Sequence, residues 1–291
     1  MNFSDSELKA MMSLLDDPDE AVRKAVLKNL LEIPPNEVVR LERVINEVED
    51  PATKAKVLDL IHRIQFQEVY HGLKAWVESG ATDLLDGIVW IARYRYPHLN
   101  RDEILIEIEN MRTDVWLLLD ESASALDQVR AINHVFYEKY GYRGDDQNYH
   151  LPENSYLNEV IRQRKGNPIS LATLYLLVAH RLNLPIYGVN LPKHFVLVFV
   201  ENAGQYQHVD PAERPVLFYI NAFNKGAIFT KQDVEQFLML LKLPVKPEFF
   251  CPCSNEDIII RYINNLISYF NDHDQSRLNE LMLLRGLFPE D

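Results

Sequence analysis

Apolar positions recur at two periods along this chain, and the change of period marks its organisation. From Leu8 to Ile61 they come in steps of three and four, as on the inner faces of amphipathic helices. Val22, Ala25, Val26 and Leu30 form one such stripe; Val57, Leu58, Leu60 and Ile61 form another. Each stripe follows an acidic residue and a proline, Asp17-Pro18 in the first case and Glu49-Asp50-Pro51 in the second, which predicts two similar helical units. Residues 67–79, 83–95, 101–119 and 122–140 predict four further helices. A polar loop then leads to Asn154 and Ser155, either of which suits the cap of a helix ending before Gly166. Asn158 and Arg162 share one face of that helix.

The next segment has no polar face. From Ile169 to Leu182 apolar residues cover nearly the whole circumference, so this helix is expected to be buried on most sides. Asn167 is a good N-cap, and Pro168 suits the first helical position, where a missing N–H costs nothing. The period then drops to two. Lys193–Val200 is apolar on both faces beyond His194 and predicts a central strand. Asn202-Ala203-Gly204 predicts a turn, and Gln205–Asp210 a second strand carrying His208 and Asp210 on one face. With a three-residue loop, Asp210 becomes the diagonal neighbour of His194. Val216–Ile220 predicts a third strand. Thr230-Lys231-Gln232-Asp233 opens a helix to Leu241, and 255–270 with 275–287 predict a closing helical hairpin.

Composition narrows the function. The 291 residues are 47% hydrophobic and 25% charged, ordinary for a globular protein. The net charge of −13 disfavours nucleic acid and anionic membranes as partners. Neither a signal peptide nor a membrane-length apolar run is visible, so a cytoplasmic location is expected. Cys251 and Cys253 are too close for an ordinary disulfide and read as plain thiols in a proline-rich loop. No metal or cofactor is expected.

Three motifs carry a family resemblance: Asn154-Ser155-Tyr156-Leu157-Asn158, Gly166-Asn167-Pro168-Ile169-Ser170-Leu171, and Gly188-Val189-Asn190-Leu191-Pro192-Lys193-His194-Phe195. In this order they resemble the SirB-type branch of the transglutaminase-like superfamily. The resemblance implies a predominantly helical α+β protein with a transglutaminase-like (cysteine-proteinase-like) core and a small antiparallel sheet. The repeats at the front resemble HEAT units, and the closing hairpin resembles one tetratricopeptide unit. The division expected is 1–80 for the HEAT-like arm, 81–245 for the core and 246–291 for the hairpin. In catalytically competent relatives a cysteine heads the buried helix, and that position falls on Pro168 here. The resemblance matches the family's histidine to His194 and its aspartate to Asp210, and so implies a triad without its nucleophile.

Two functions follow as expectations. The first is a non-catalytic domain that binds a protein or peptide in the remnant cleft, with Asn154, Asn158, Arg162 and Asn167 at its border. The second is a hydrolase or peptidase in which His194 and Asp210 activate Ser170 or a water. Against the second, Ser170 lies two residues beyond Pro168, well round the helix from the direction expected to face His194. A purely structural role for the helical arms is a third possibility.

Overall fold

The computed structural model describes residues 3–34, 37–48, 50–202 and 204–289. The chain divides into two compact units, Met1–Lys74 and Ala75–Asp291, with the division falling inside one long helix.

The first unit is helical. It holds α1 (Asp5–Ser13), α2 (Glu20–Leu31), α3 (Val38–Ile45) and the larger part of α4 (Pro51–Glu78). Ser4 caps α1 in a reciprocal box with Glu7. Asp19 caps α2, so the helix opens just beyond Asp17-Pro18. Of the second opening, Glu49 lies outside the described residues, while Asp50 accepts from the Thr53 N–H at 2.7 Å. Val26, Leu30, Val57, Leu60 and Ile61 of the stripes join one core with Leu8 and Leu41, whereas Ala25 and Leu58 are exposed, on the outer side of their helices. The stripe after Pro51 and the segment 67–79 form one continuous helix, because no glycine or proline separates them and the lone Gly72 is tolerated within a long helix.

The second unit is α+β. Helices α5 (Leu84–Arg93), α6 (Arg101–Trp116) and α7 (Ala125–Asn133) come first, and α7 runs on as a π-helical turn over His134–Lys139. A two-residue parallel bridge joins β1 (Arg143–Gly144) to β2 (Lys165–Gly166), on either side of α8 (Leu157–Gln163). Tyr156 precedes α8 without a side-chain cap, so neither Asn154 nor Ser155 serves that end.

Helix α9 (Pro168–Arg181) is the centre of this unit. Every residue from Pro168 to Ala179 is buried, as its all-round apolar pattern requires. It packs on α6 and against β3 (Ile186–Val189) and β4 (Val196–Val200). Those strands continue antiparallel through β5 (Val216–Asn221) to β6 (Ala227–Phe229). Val196, Val198 and Val200 share an apolar cluster with Val234 and Leu238 of α10 (Lys231–Leu240), which leaves Leu197 and Phe199 for the opposite face. Two packed helices, α11 (Asn255–Phe270) and α12 (Gln275–Arg285), follow.

The expected strand over Gln205–Asp210 is absent. Gly204–His208 is a 3₁₀ turn and Pro211–Glu213 another. The apolar pair there, Tyr206 and Val209, is spaced by three, which suits one face of a 3₁₀ turn and not a strand. The strand that pairs with β4 is therefore β5, with Leu197 opposite Ile220 and Val198 opposite Tyr219.

Candidate functional site

The start of α9 is closed on itself. Asn167 accepts from the Ser170 N–H at 3.0 Å, and the Asn167 N–H donates to the Ser170 hydroxyl at 3.1 Å. That hydroxyl also reaches the Asn167 carbonyl at 3.2 Å and is fully buried. Its bonds are all spent on the helix cap, so it presents no nucleophile. The Asn167 amide donates in turn to the Ser155 hydroxyl at 2.9 Å. Pro168, also buried, offers no polar side-chain atom and no backbone N–H.

The motif residues before α9 take structural places. Asn154 donates to the Asn148 carbonyl at 2.6 Å. Arg162 is exposed and holds Glu159, with its Nε 3.0 Å from the carboxylate. Asn158 keeps a buried side-chain oxygen without a partner.

His194 stands just before β4, in a turn closed by its N–H on the Leu191 carbonyl at 3.1 Å. Lys193 within that turn has φ +64°, a left-handed conformation uncommon for a residue with a side chain. The ring lies 6.3 Å from that of Phe237. Burial pushes the His194 pKa below its usual value, and a hydrogen bond with Asn221 pulls the other way. The neutral imidazole is thus the resting form.

The polar side chain beside His194 is Asn221, which lines the same cavity, and not Asp210. Asp210 is exposed, and its carboxylate accepts from the Ala212 N–H at 2.8 Å at the start of the Pro211–Glu213 turn. The physical reason is register. Continuing the β4–β5 pairing places Asn221 opposite Val196, on the face that His194 shares two residues away. The Asn221 side-chain oxygen also accepts from the N–H groups of Phe223 and Asn224, both at 3.1 Å, and so is held at the end of β5. The sequence carried this signal: Asn221 directly follows the apolar run Val216–Ile220, which was legible as a strand.

Two cavities meet this region. One, of about 510 Å³, is mostly apolar and is lined by Leu191, His194, Val196, Asn221, Phe229 and Phe237. The other, of about 410 Å³, is polar and lies at the start of α9, where Tyr149, Ser155, Asn167, Lys193, Arg261 and Asp272 line it. Lys193 lines both. Neither Tyr149 nor Arg261 stands out in the sequence. Arg261 sits on an amphipathic helix like any solvated arginine, and Tyr149 in a polar loop. Among the described residues no group of three His, Cys, Asp or Glu side chains is placed to hold a metal ion. No described helix is long and apolar enough to cross a membrane.

A buried helix packed on a small antiparallel sheet agrees with a family model described as the transglutaminase-like superfamily, which matches residues 102–264. The chain belongs to the transglutaminase-like superfamily. Among similar proteins, a UPF0162 protein of Xylella fastidiosa (strain Temecula1) is 36% identical over 211 residues, 69% of each chain. A UPF0162 protein of Vibrio cholerae is 27% identical over 186 residues, 63% of this chain and 64% of the relative. F-box only protein 21 of mouse is 31% identical over 140 residues, which is 47% of this chain but 21% of that protein. No solved structure matches at a significant level. Within the transglutaminase-like superfamily, this chain has proline at the helix start and an amide beside the histidine.

Proposed function

We propose that this transglutaminase-like chain is a non-catalytic member of the SirB-type branch that binds a protein or peptide partner in its remnant cleft. The observation that carries the reading is the start of α9. Pro168 is buried where a thiolate would stand, and the nearest hydroxyl, Ser170, is consumed by the cap. A covalent route needs a nucleophile within reach of the base, and neither side chain supplies one. His194 keeps the form of a base, with burial lowering its pKa, but without a neighbouring side chain to activate. Asn167 on the cavity wall, with Asn154, Asn158 and Arg162 behind it, forms the border of the proposed cleft.

The finer organisation proposed is a HEAT-like arm over 1–80, a core over 81–245 and a tetratricopeptide-like hairpin over 246–291, in a cytoplasmic protein. Likeness to part of F-box only protein 21 fits a domain that works beside other modules.

The test is replacement of Pro168 by Cys. Because the position is buried and burial disfavours a thiolate, the new thiol is expected to titrate at or above the usual value of ~8.5 and to leave amide and peptide substrates uncleaved. Turnover by the unaltered chain that disappears in His194→Ala would overturn the reading. So would a Pro168→Cys thiol titrating well below that value and acylated by substrate.

A further inference from the structure

The cavity at the start of α9 contains a cation that the protein does not neutralise. Arg261, on α11, is half-buried, and its Nη1 donates to the Asn190 side chain at 3.0 Å and to the Leu191 carbonyl at 3.4 Å. Both acceptors are neutral. Among the described residues no carboxylate lies within ion-pair distance of it. Burial lowers its pKa from the usual guanidinium value, and the nearby Tyr149 only partly offsets this. The same charge is felt by His194, whose pKa it helps to lower. Leaving a charge desolvated without a counter-ion is strongly destabilising, and proteins keep such groups where a ligand supplies the counter-charge.

We propose that Arg261 anchors a single carboxylate of a peptide ligand in this cavity, with Lys193 at its edge. The claim rests on the reading of the cleft as a peptide-binding surface. The charge balance selects the ligand. Lys193 and Arg261 contribute positive charge and Asp272 negative charge, while His150 and His273 on the same wall add charge only when protonated. The net of one positive charge suits a carboxylate better than a dianionic phosphate. The planar guanidinium still has most of its N–H donors to offer, in the fork that a carboxylate matches with two parallel bonds. The Ser155 hydroxyl and the Asn167 amide, already locked to each other, form the floor. The apolar cavity beyond Lys193 can take the side chain next to the carboxylate.

The experiment uses the full chain, isotope-labelled, and follows the Arg261 Nε–Hε signal by NMR. Sodium acetate should shift the signal saturably, whereas sodium chloride at matched ionic strength should not. Inorganic phosphate should bind no more tightly than acetate. Arg261→Gln should abolish the saturable shifts at the Ser155 and Asn167 amides while leaving the unfolding midpoint unchanged or raised. Should that variant fail to fold, Arg261→Lys, which keeps the charge and loses the fork, should weaken acetate several-fold. Equal, linear responses to acetate and chloride would overturn the proposal, and tighter binding of phosphate would overturn the choice of carboxylate.

Peptides selected from a random library on the unaltered protein supply the second arm. They should compete with acetate and lose at least about ten-fold in affinity, or ~1.4 kcal/mol, on Arg261→Gln. Retained affinity after C-terminal amidation assigns the carboxylate to an Asp or Glu side chain; its loss assigns it to the peptide terminus. Peptides indifferent to both acetate and Arg261→Gln would leave peptide binding intact and refute the anchor. Saturation by acetate without any competing peptide would leave the anion site standing and refute peptide binding.

Discussion

In the unit that ends at Lys74, charged side chains stand in water and the interior is aliphatic. Lys24 and Glu20, for example, pair at 2.7 Å with side chains 75% and 68% exposed. In the unit that begins at Ala75, the interior itself is polar in one place. Thr53 is the only buried polar side chain described in the first unit, whereas Asp145, Asn154, Ser155, Glu159, Asn167, Ser170 and Thr173 are buried in the second. All seven fall between residues 145 and 173, from just after β1 to the middle of α9. Burying a polar group is costly unless its bonds are satisfied, so a sequence that concentrates the cost in one stretch is building something there. The first unit shows what this chain does where only packing matters.

The largest effect expected from this contrast lies in the caps. Asn167→Ala removes the cap of a buried helix and leaves the Ser155 hydroxyl unpaired, for a cost of about 3 kcal/mol. Ser4→Ala removes an equivalent box in water and should cost about 1 kcal/mol or less. The two can be read separately, because Trp76, Trp90 and Trp116 all lie beyond Lys74. Urea unfolding followed by tryptophan fluorescence should move sharply for Asn167→Ala and hardly at all for Ser4→Ala. Equal losses would mean that the polar stretch has no special standing.

A smaller effect is expected from pH. Burial lowers the pKa of both His180 and His194 from the usual value of 6.5, so the folded form keeps both rings neutral after the unfolded chain has begun to bind protons. The stability they contribute is therefore present above about pH 6.5 and is lost as pH falls through the folded values. The fluorescence-detected midpoint should drop between pH 7 and pH 5, and His194→Gln should flatten the drop. A midpoint that holds steady over this range would show that both rings are reachable by protons at no cost.

The smallest effects should come from exposed pairs in either unit. Lys24→Ala and Arg162→Ala should each change stability by less than about 0.5 kcal/mol. Arg162 is 68% exposed and shares the Glu159 carboxylate with Gln163 at 2.9 Å, so its loss leaves that acid with a partner. A cost well above 1 kcal/mol for Arg162→Ala alone would move it from the border of the site into its framework.

What was legible in the sequence followed from periodicity and caps. The apolar circumference of 169–182, the Asn167-Pro168 start, Thr230 and the strand at Val216 all depend on neighbours in sequence, and each is where the pattern indicates. The polar neighbour of His194 depended instead on which strand pairs with which. The diagonal neighbour lies on a strand, and Gln205–Asp210, whose apolar residues lack the period of a strand, is not one. On β5 the diagonal neighbour is Asn221. Arg261 was invisible for a different reason: being unpaired is a property of its surroundings in space, and no spacing along the chain encodes it.

Lys193 shows what this arrangement asks of variation. Its backbone is left-handed, at φ +64°, and its side chain lines both cavities. A saturation library at this single codon would therefore sort by two independent demands. The backbone should admit Gly, Asn and Asp and penalise Val, Ile and Thr, whose branched side chains fit that conformation worst. A ligand with negative charge should retain Lys and Arg and exclude Asp. Selection for folding alone would then return glycine and asparagine freely. Selection for binding would keep only the cations that tolerate the twist, and the difference between the two survivor sets would read out how much of this turn is kept for shape and how much for recognition.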